Sequence, residues 1–170
     1  MRLSKIHKKI LFQAVPLIEA LIEMKGTDIS EEDIRGCLMQ AFGDIRGYKI
    51  RQECEGRTDI VVYTSGERPV IKYELKTFFK PNELPQRIEG DIHEDFTKLQ
   101  KSADNACCYF LFVASTQQLR KNTVRFINDY AQQGQGTAIN VPGIMNEVSA
   151  IVKRSEIRDT FVIYSWRILP

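Results

Sequence analysis

The chain has 170 residues, 43% of them hydrophobic and 27% charged, a composition that fits one soluble globular domain over 1–170. Its 24 basic and 22 acidic residues leave a net charge of +2, too small to argue for nucleic acid from charge alone. No apolar run is long enough to cross a bilayer. Cys37, Cys54, Cys107 and Cys108 lack the paired spacing of a zinc site, so the expectation is a cytoplasmic protein with free thiols and no membrane association.

The N-terminal stretch MRLSKIHKKILFQAVPLIEALIE opens basic and turns apolar, as a signal peptide does. Pro16, Glu19 and Glu23 interrupt it and no small-residue cleavage site follows. Apolar residues at Ile6, Ile10, Ile18, Leu21 and Ile22 recur at helical spacing and predict a helix over 5–24. Pro16 is a point for a kink, and Gly26 ends the helix. Arg2, Lys5, His7, Lys8 and Lys9 form a basic group. Arg120, Lys121 and Arg125 form a second, and Lys153, Arg154 and Arg158 a third. Each group reads either as phosphate contacts or as a solvated face.

Ser30 is a suitable N-cap for a second helix, EEDIRGCLMQAFG, with acids in its first turn. Its apolar stripe is Ile34, Cys37, Leu38, Ala41 and Phe42. At about 100° per residue, Glu31 projects within roughly 50° of the centre of that stripe. Glu32 lies roughly 150° away and Asp33 about 110°.

Three strands follow. The first spans 48–54. TDIVVY and VIKYELK are rich in β-branched and aromatic residues and are joined by turn residues, so they form a hairpin. A tip at Gly66-Glu67, with the positive φ at Gly66, sets Asp59 directly opposite Glu74. Opposed residues of an antiparallel pair are about 5 Å apart at Cβ and share a face. Lys76, two residues on, shares it too. Two carboxylates that close repel unless a cation sits between them, and hard oxygen ligands suit Mg²⁺, or Mn²⁺ in its place. Lys76 beside such an ion would orient or deprotonate a water, or stabilise developing negative charge.

Beyond Lys76, Phe78 and Phe79 either stack on bases or pack inside, and a loop with Pro81 and Pro85 follows. DIHEDFTKLQKS predicts a helix over 91–102 with Ile92, Phe96 and Leu99 inward; Asp95, Lys98 and Gln100 are polar positions on it, and His93 is an exposed one. ACCYFLFVA, apolar on both faces, is a central buried strand. A helix from Gln117 to about Gln132 follows, then a Gly/Gln loop over 132–137. Next come an ambiguous stretch in which NEVSAIVKR reads as a short helix and a final strand over 160–168. Ser165 and Arg167 alternate outward in that strand, which places it at a sheet edge.

Thr58-Asp59 on one strand and Glu74-Leu75-Lys76 at the end of the next resemble the signature of the PD-(D/E)xK nuclease superfamily, with Thr58 where that family usually has proline. The element order over 30–114, about half the chain, also resembles the family core of a helix, a three-stranded antiparallel meander, a helix and a strand. The resemblance implies an α/β, restriction-endonuclease-like fold with a mixed central sheet, an extra N-terminal helix and C-terminal additions. It implies Mg²⁺-dependent hydrolysis of DNA by a restriction or repair type of endonuclease, acting as a homodimer to cut both strands. The metal would be held by Asp59, Glu74 and the Leu75 carbonyl, with Lys76 positioning the water. Many members carry a further glutamate on the helix before the first strand. Glu31 is the first choice for it, with Glu32, Glu53 and Glu55 as alternatives. Lys98 corresponds to a polar residue reaching the cleft from the following helix. The alternative is a non-catalytic nucleic-acid-binding or protein-interaction module that keeps the fold.

Overall fold

Strand periodicity sends alternate residues to opposite faces of a sheet, and here both faces are apolar enough to need cover. In a computed structural model, which describes residues 3–43, 45–54, 58–80, 85–103, 105–121, 149–154 and 159–168, the chain forms an α/β fold around one mixed sheet. Helices α1 (Leu3–Lys25) and α2 (Glu31–Phe42) come first, then strands β1 (Tyr48–Cys54), β2 (Thr58–Thr64) and β3 (Pro69–Phe78). Helix α3 (Pro85–Ser102) leads to β4 (Cys107–Ser115), followed by α4 (Thr116–Lys121), β5 (Ser149–Arg154) and β6 (Asp159–Ile168). The strand order is β1-β2-β3-β4-β6-β5, and β3–β4 is the parallel pair. β1, β2 and β3 form an antiparallel meander, and β4 lies inside the sheet, buried on both faces.

The two cores follow the alternation. On one face Tyr73, Leu75, Tyr109, Leu111 and Ile163 pack under α1 and α2. On the other, Phe78, Phe110, Phe112 and Trp166 pack under α3 through Ile92, Phe96 and Leu99. Phe78 and Phe79 are both buried, so they pack.

Local chemistry sets the helix ends. Ser30 accepts from the Asp33 amide at 3.2 Å, and the Asp33 carboxylate accepts from the Ser30 amide at 2.9 Å, a reciprocal cap for α2. Gly26, at φ 63°, takes the left-handed conformation that closes α1.

Several expectations are corrected. The positive φ in the β2–β3 turn belongs to Glu67, at 60°, not to Gly66. The Glu67 amide bonds to the Thr64 carbonyl at 3.0 Å, which centres the turn on Ser65-Gly66. A register shift between Val62 and Tyr63 then brings Ile60 opposite Tyr73, the pairing that a tip at Gly66-Glu67 would have given. α3 begins at Pro85 rather than Asp91, because proline suits a first helical position, where its missing N–H has no partner to lose. The stretch read as a short helix before Arg154 contains β5 instead. Among the described residues the outer strands are β1 and β5, so the last strand is not an edge, and β6 lies between β4 and β5. The helix expected to Gln132 is described only to Lys121, and the 132–137 loop lies outside the described residues.

Ser165 and His7 are the reason the last strand misleads. Both are buried, and the Ser165 hydroxyl lies 2.9 Å from His7 Nε2 while Tyr73 Oη lies 3.2 Å from Nδ1. A neutral imidazole donates through one nitrogen and accepts through the other, and hydroxyls can take either role. The ring also stacks on Tyr109 at 3.8 Å. This one histidine therefore ties α1 to β3, β4 and β6, and it is no phosphate contact. Burial, with Lys8 adding to it, lowers its pKa from 6.5 to about 3.

A lowered histidine pKa means that the unfolded chain takes up a proton the fold refuses. The stability linked to His7 is full above pH 6.5 and falls toward pH 3 by about 1.4 kcal/mol per unit. Replacing His7 with Phe should cost about 1–3 kcal/mol at pH 7.5 by stranding two buried hydroxyls. Urea midpoints at pH 7.5, 6 and 5 should show the gap between native chain and variant narrowing as pH falls.

Candidate functional site

Asp59 opens β2 and Glu74 and Lys76 close β3 on the face that α3 covers. The register that pairs Ile60 with Tyr73, carried one residue further, sets Asp59 against Glu74. Asp59 is fixed at both oxygens. Oδ2 accepts from the Leu75 amide at 2.8 Å, and Oδ1 accepts from Arg35 at 3.2 Å.

α2 and α3 complete the cluster. From α2, the Arg35 guanidinium also reaches Glu31 at 3.5 Å, and Lys76 lies 3.5 Å from the other Glu31 oxygen. From α3, Asp95 lies 3.5 Å from Lys76, and Lys98 pairs with Glu74 at 2.5 Å. Asp59, Glu74, Lys76, Glu31 and Lys98, all expected from the sequence, are thus brought together. Glu32 points to solvent. The Glu53, His93, Arg120, Lys121, Lys153 and Arg154 side chains, and all of Arg2, Glu55, Arg125 and Arg158, lie outside the described residues.

Two members escape sequence reasoning. Arg35 sits one turn after Glu31 on the same helical face, an i,i+4 spacing that was the available signal. Asp95 precedes Lys98 by three and so shares its side of α3, but nothing in the sequence separates it from other polar helix positions.

Electrostatics follow from burial. The Glu74 side chain is 2% exposed. Burial, reinforced by Asp59 and Asp95 and opposed by Lys98, raises its pKa to about 8. Burial also raises Glu31 and Asp95, against the pull of Lys76 on both. For Lys76, burial acts downward, but Asp95, Glu31, Asp91 and Asp59 outweigh it and hold the ammonium above the usual range. Lys76 is therefore a charged donor at neutral pH and not a ready base.

The donor set is all oxygen, the chemistry of a hard divalent cation. A buried carboxyl raised toward neutrality beside a second carboxylate is also a place where added positive charge is favourable. Yet among the described residues no three acidic, histidine or cysteine side chains converge as a preformed ligand group. Each acid is engaged by a cation of the chain itself. A metal held by Asp59, Glu74 and the Leu75 carbonyl would compete with Lys98 for Glu74 and with Arg35 for Asp59.

Comparison with protein-family models, with curated proteins and with solved structures returns no match.

A raised Glu74 pKa stabilises the metal-free fold fully below about pH 4.5, and that contribution is lost as pH rises through about 8. Thermal unfolding in chelator should show Glu74→Gln gaining on the native chain by about 1.4 kcal/mol per unit across this window. Arg35→Ala removes the cation shared by Glu31 and Asp59, leaving them Lys76 and the Leu75 amide, and should cost about 3 kcal/mol in urea unfolding, with Arg35→Lys recovering part of it.

Proposed function

We propose that this chain is a Mg²⁺-dependent deoxyribonuclease, an endonuclease of restriction or repair type acting on cytoplasmic DNA as a homodimer. The observation that carries the reading is the β2–β3 hairpin, which gathers Asp59, Glu74 and Lys76 at one end of the sheet with Glu31 from the preceding helix. The element order supports it as well. A helix, an antiparallel meander, a helix and a strand parallel to the third resemble the restriction-endonuclease-like core. Among the described residues no helix is long and apolar enough to cross a membrane.

In this reading Asp59, Glu74 and the Leu75 carbonyl hold the ion, with Glu31 as accessory acid. Bound there, Mg²⁺ supplies positive charge for the scissile phosphate and lowers the pKa of a water. The chain's own residues do the rest. The Leu75 amide fixes the Asp59 carboxylate in place. Lys76, held charged by Glu31 and Asp95, orients the attacking water and offsets the negative charge that builds on phosphorus oxygens. Before the ion enters, Lys98 keeps the Glu74 carboxyl from carrying an uncompensated buried charge when it ionises.

A second reading has its own observation. Arg35, Lys76 and Lys98 lie against Glu31, Asp59, Asp95 and Glu74, so each acid of the cluster already has a cation of the chain beside it. Such an internally paired cluster suits a binding module that keeps the fold without catalysis.

Plasmid cleavage separates the two. The nuclease reading predicts nicking or linearisation of supercoiled DNA in Mg²⁺ and none in EDTA. Asp59→Ala and Lys76→Ala should each reduce the rate by about a hundredfold or more while circular dichroism stays native. An intact, folded chain that cuts no DNA in Mg²⁺ or Mn²⁺ supports the binding module.

A further inference from the structure

The opposite end of the sheet carries a feature that the carboxylate cluster does not explain. A cavity of about 340 Å³ opens where β2 and β6 end and where β3 and β4 begin. Along β3 this is roughly 20 Å from Lys76, at about 3.3 Å per residue. Its size lies at the small end of small-molecule sites. Arg68 and Arg167 line it, with Thr64 and Asn105 as further hydrogen-bonding groups and Leu3 and Ile168 among the apolar ones.

Both arginines are held by regular backbone. The Arg68 carbonyl accepts from the Thr64 amide at 2.9 Å, and its own amide donates to Thr64 Oγ1 at 3.3 Å. Arg167 is paired with Tyr109 in the β4–β6 ladder. Among the described residues neither guanidinium has a side-chain partner, whereas Arg35 bridges two acids and Arg51 pairs with Glu67. Two like charges lining one cavity repel, and an anion between them converts the repulsion into two charge-assisted contacts. A carboxylate brings a single charge. A phosphate monoester brings about −1.5 to −2 at neutral pH, with three acceptor oxygens that match planar guanidinium forks.

We infer that this cavity is a binding site for a terminal phosphate monoester, separate from the carboxylate cluster, with Arg68 and Arg167 on the phosphoryl oxygens and Thr64 and Asn105 beside it. The phosphoryl group is the shared chemistry of two sources, a free mononucleotide and the 5′ end of a DNA strand.

Calorimetric titration of the full chain at low ionic strength in EDTA tests this, because chelation silences any metal at the other site. The probes are inorganic phosphate, AMP, and one hexanucleotide with and without its 5′-phosphate. Phosphate and at least one 5′-phosphorylated probe should bind, and acetate should not displace them. Arg68→Gln, at an exposed position, should weaken binding about tenfold with unchanged thermal unfolding, and Arg68→Gln/Arg167→Gln by more. AMP binding as tightly as the phosphorylated hexamer identifies the nucleotide as the source. Binding of that hexamer alone, over its 5′-hydroxyl form, identifies the strand end. No binding up to about 10 mM, beyond the weak end of small-ligand affinity, overturns the inference. Undiminished binding in the double variant, or equal competition by acetate, overturns it as well.

Discussion

Burying a carboxyl is costly unless its charge is suppressed or matched, and Glu74 is subject to both at once. At 2% side-chain exposure it is pushed toward the protonated acid, while Lys98 from α3 sits against it and pulls the other way. That contact constrains much else. Glu74 can face α3 only because β3 runs parallel to β4, with α3 crossing between them over the same face. Lys76, next but one on β3, is drawn into the same space, and Glu31 and Asp95 reach it from two different helices. Asp59 then needs its own partners, and Arg35 and the Leu75 amide supply them.

The opposite face of the same strand carries the opposite problem. Tyr73, one residue before Glu74, turns toward α1 and meets His7, an imidazole that burial keeps neutral. Of two adjacent β3 residues, Glu74 is pushed to hold a proton and Tyr73 touches a histidine that refuses one. Their linkages to pH have opposite signs. Lowering pH from 8 favours the fold through Glu74, and below 6.5 His7 opposes that gain at about the same slope of 1.4 kcal/mol per unit.

Much of this was legible in the residues. Alternation and turn chemistry gave the hairpin, and the register around Asp59 and Glu74 matched, although the turn reached it by a bulge and a left-handed Glu67 that no local rule demanded. The helical wheel selected Glu31 over Glu32 because the angle between them is a property of the helix itself. What stayed hidden depended on distant partners. Ser165 looked like a solvent-facing residue because its partner, His7, is 158 positions away. Arg35 looked like an ordinary helix residue because Asp59 comes to it only when α2 docks beside β3. The pairing of every acid with a cation of the chain is a tertiary property, and no spacing in the sequence announces it.

Under the nuclease reading, Asp59 and Glu74 take a metal ion in competition with Lys98 and Arg35. A crystal soaked in Mn²⁺, with anomalous data collected at the manganese edge, tests it directly. The prediction is an anomalous peak at the Asp59 and Glu74 carboxylates with the Lys98 ammonium displaced from Glu74. Absence of any peak there, with Lys98 still on Glu74 and Arg35 still on Asp59 at saturating Mn²⁺, would contradict it.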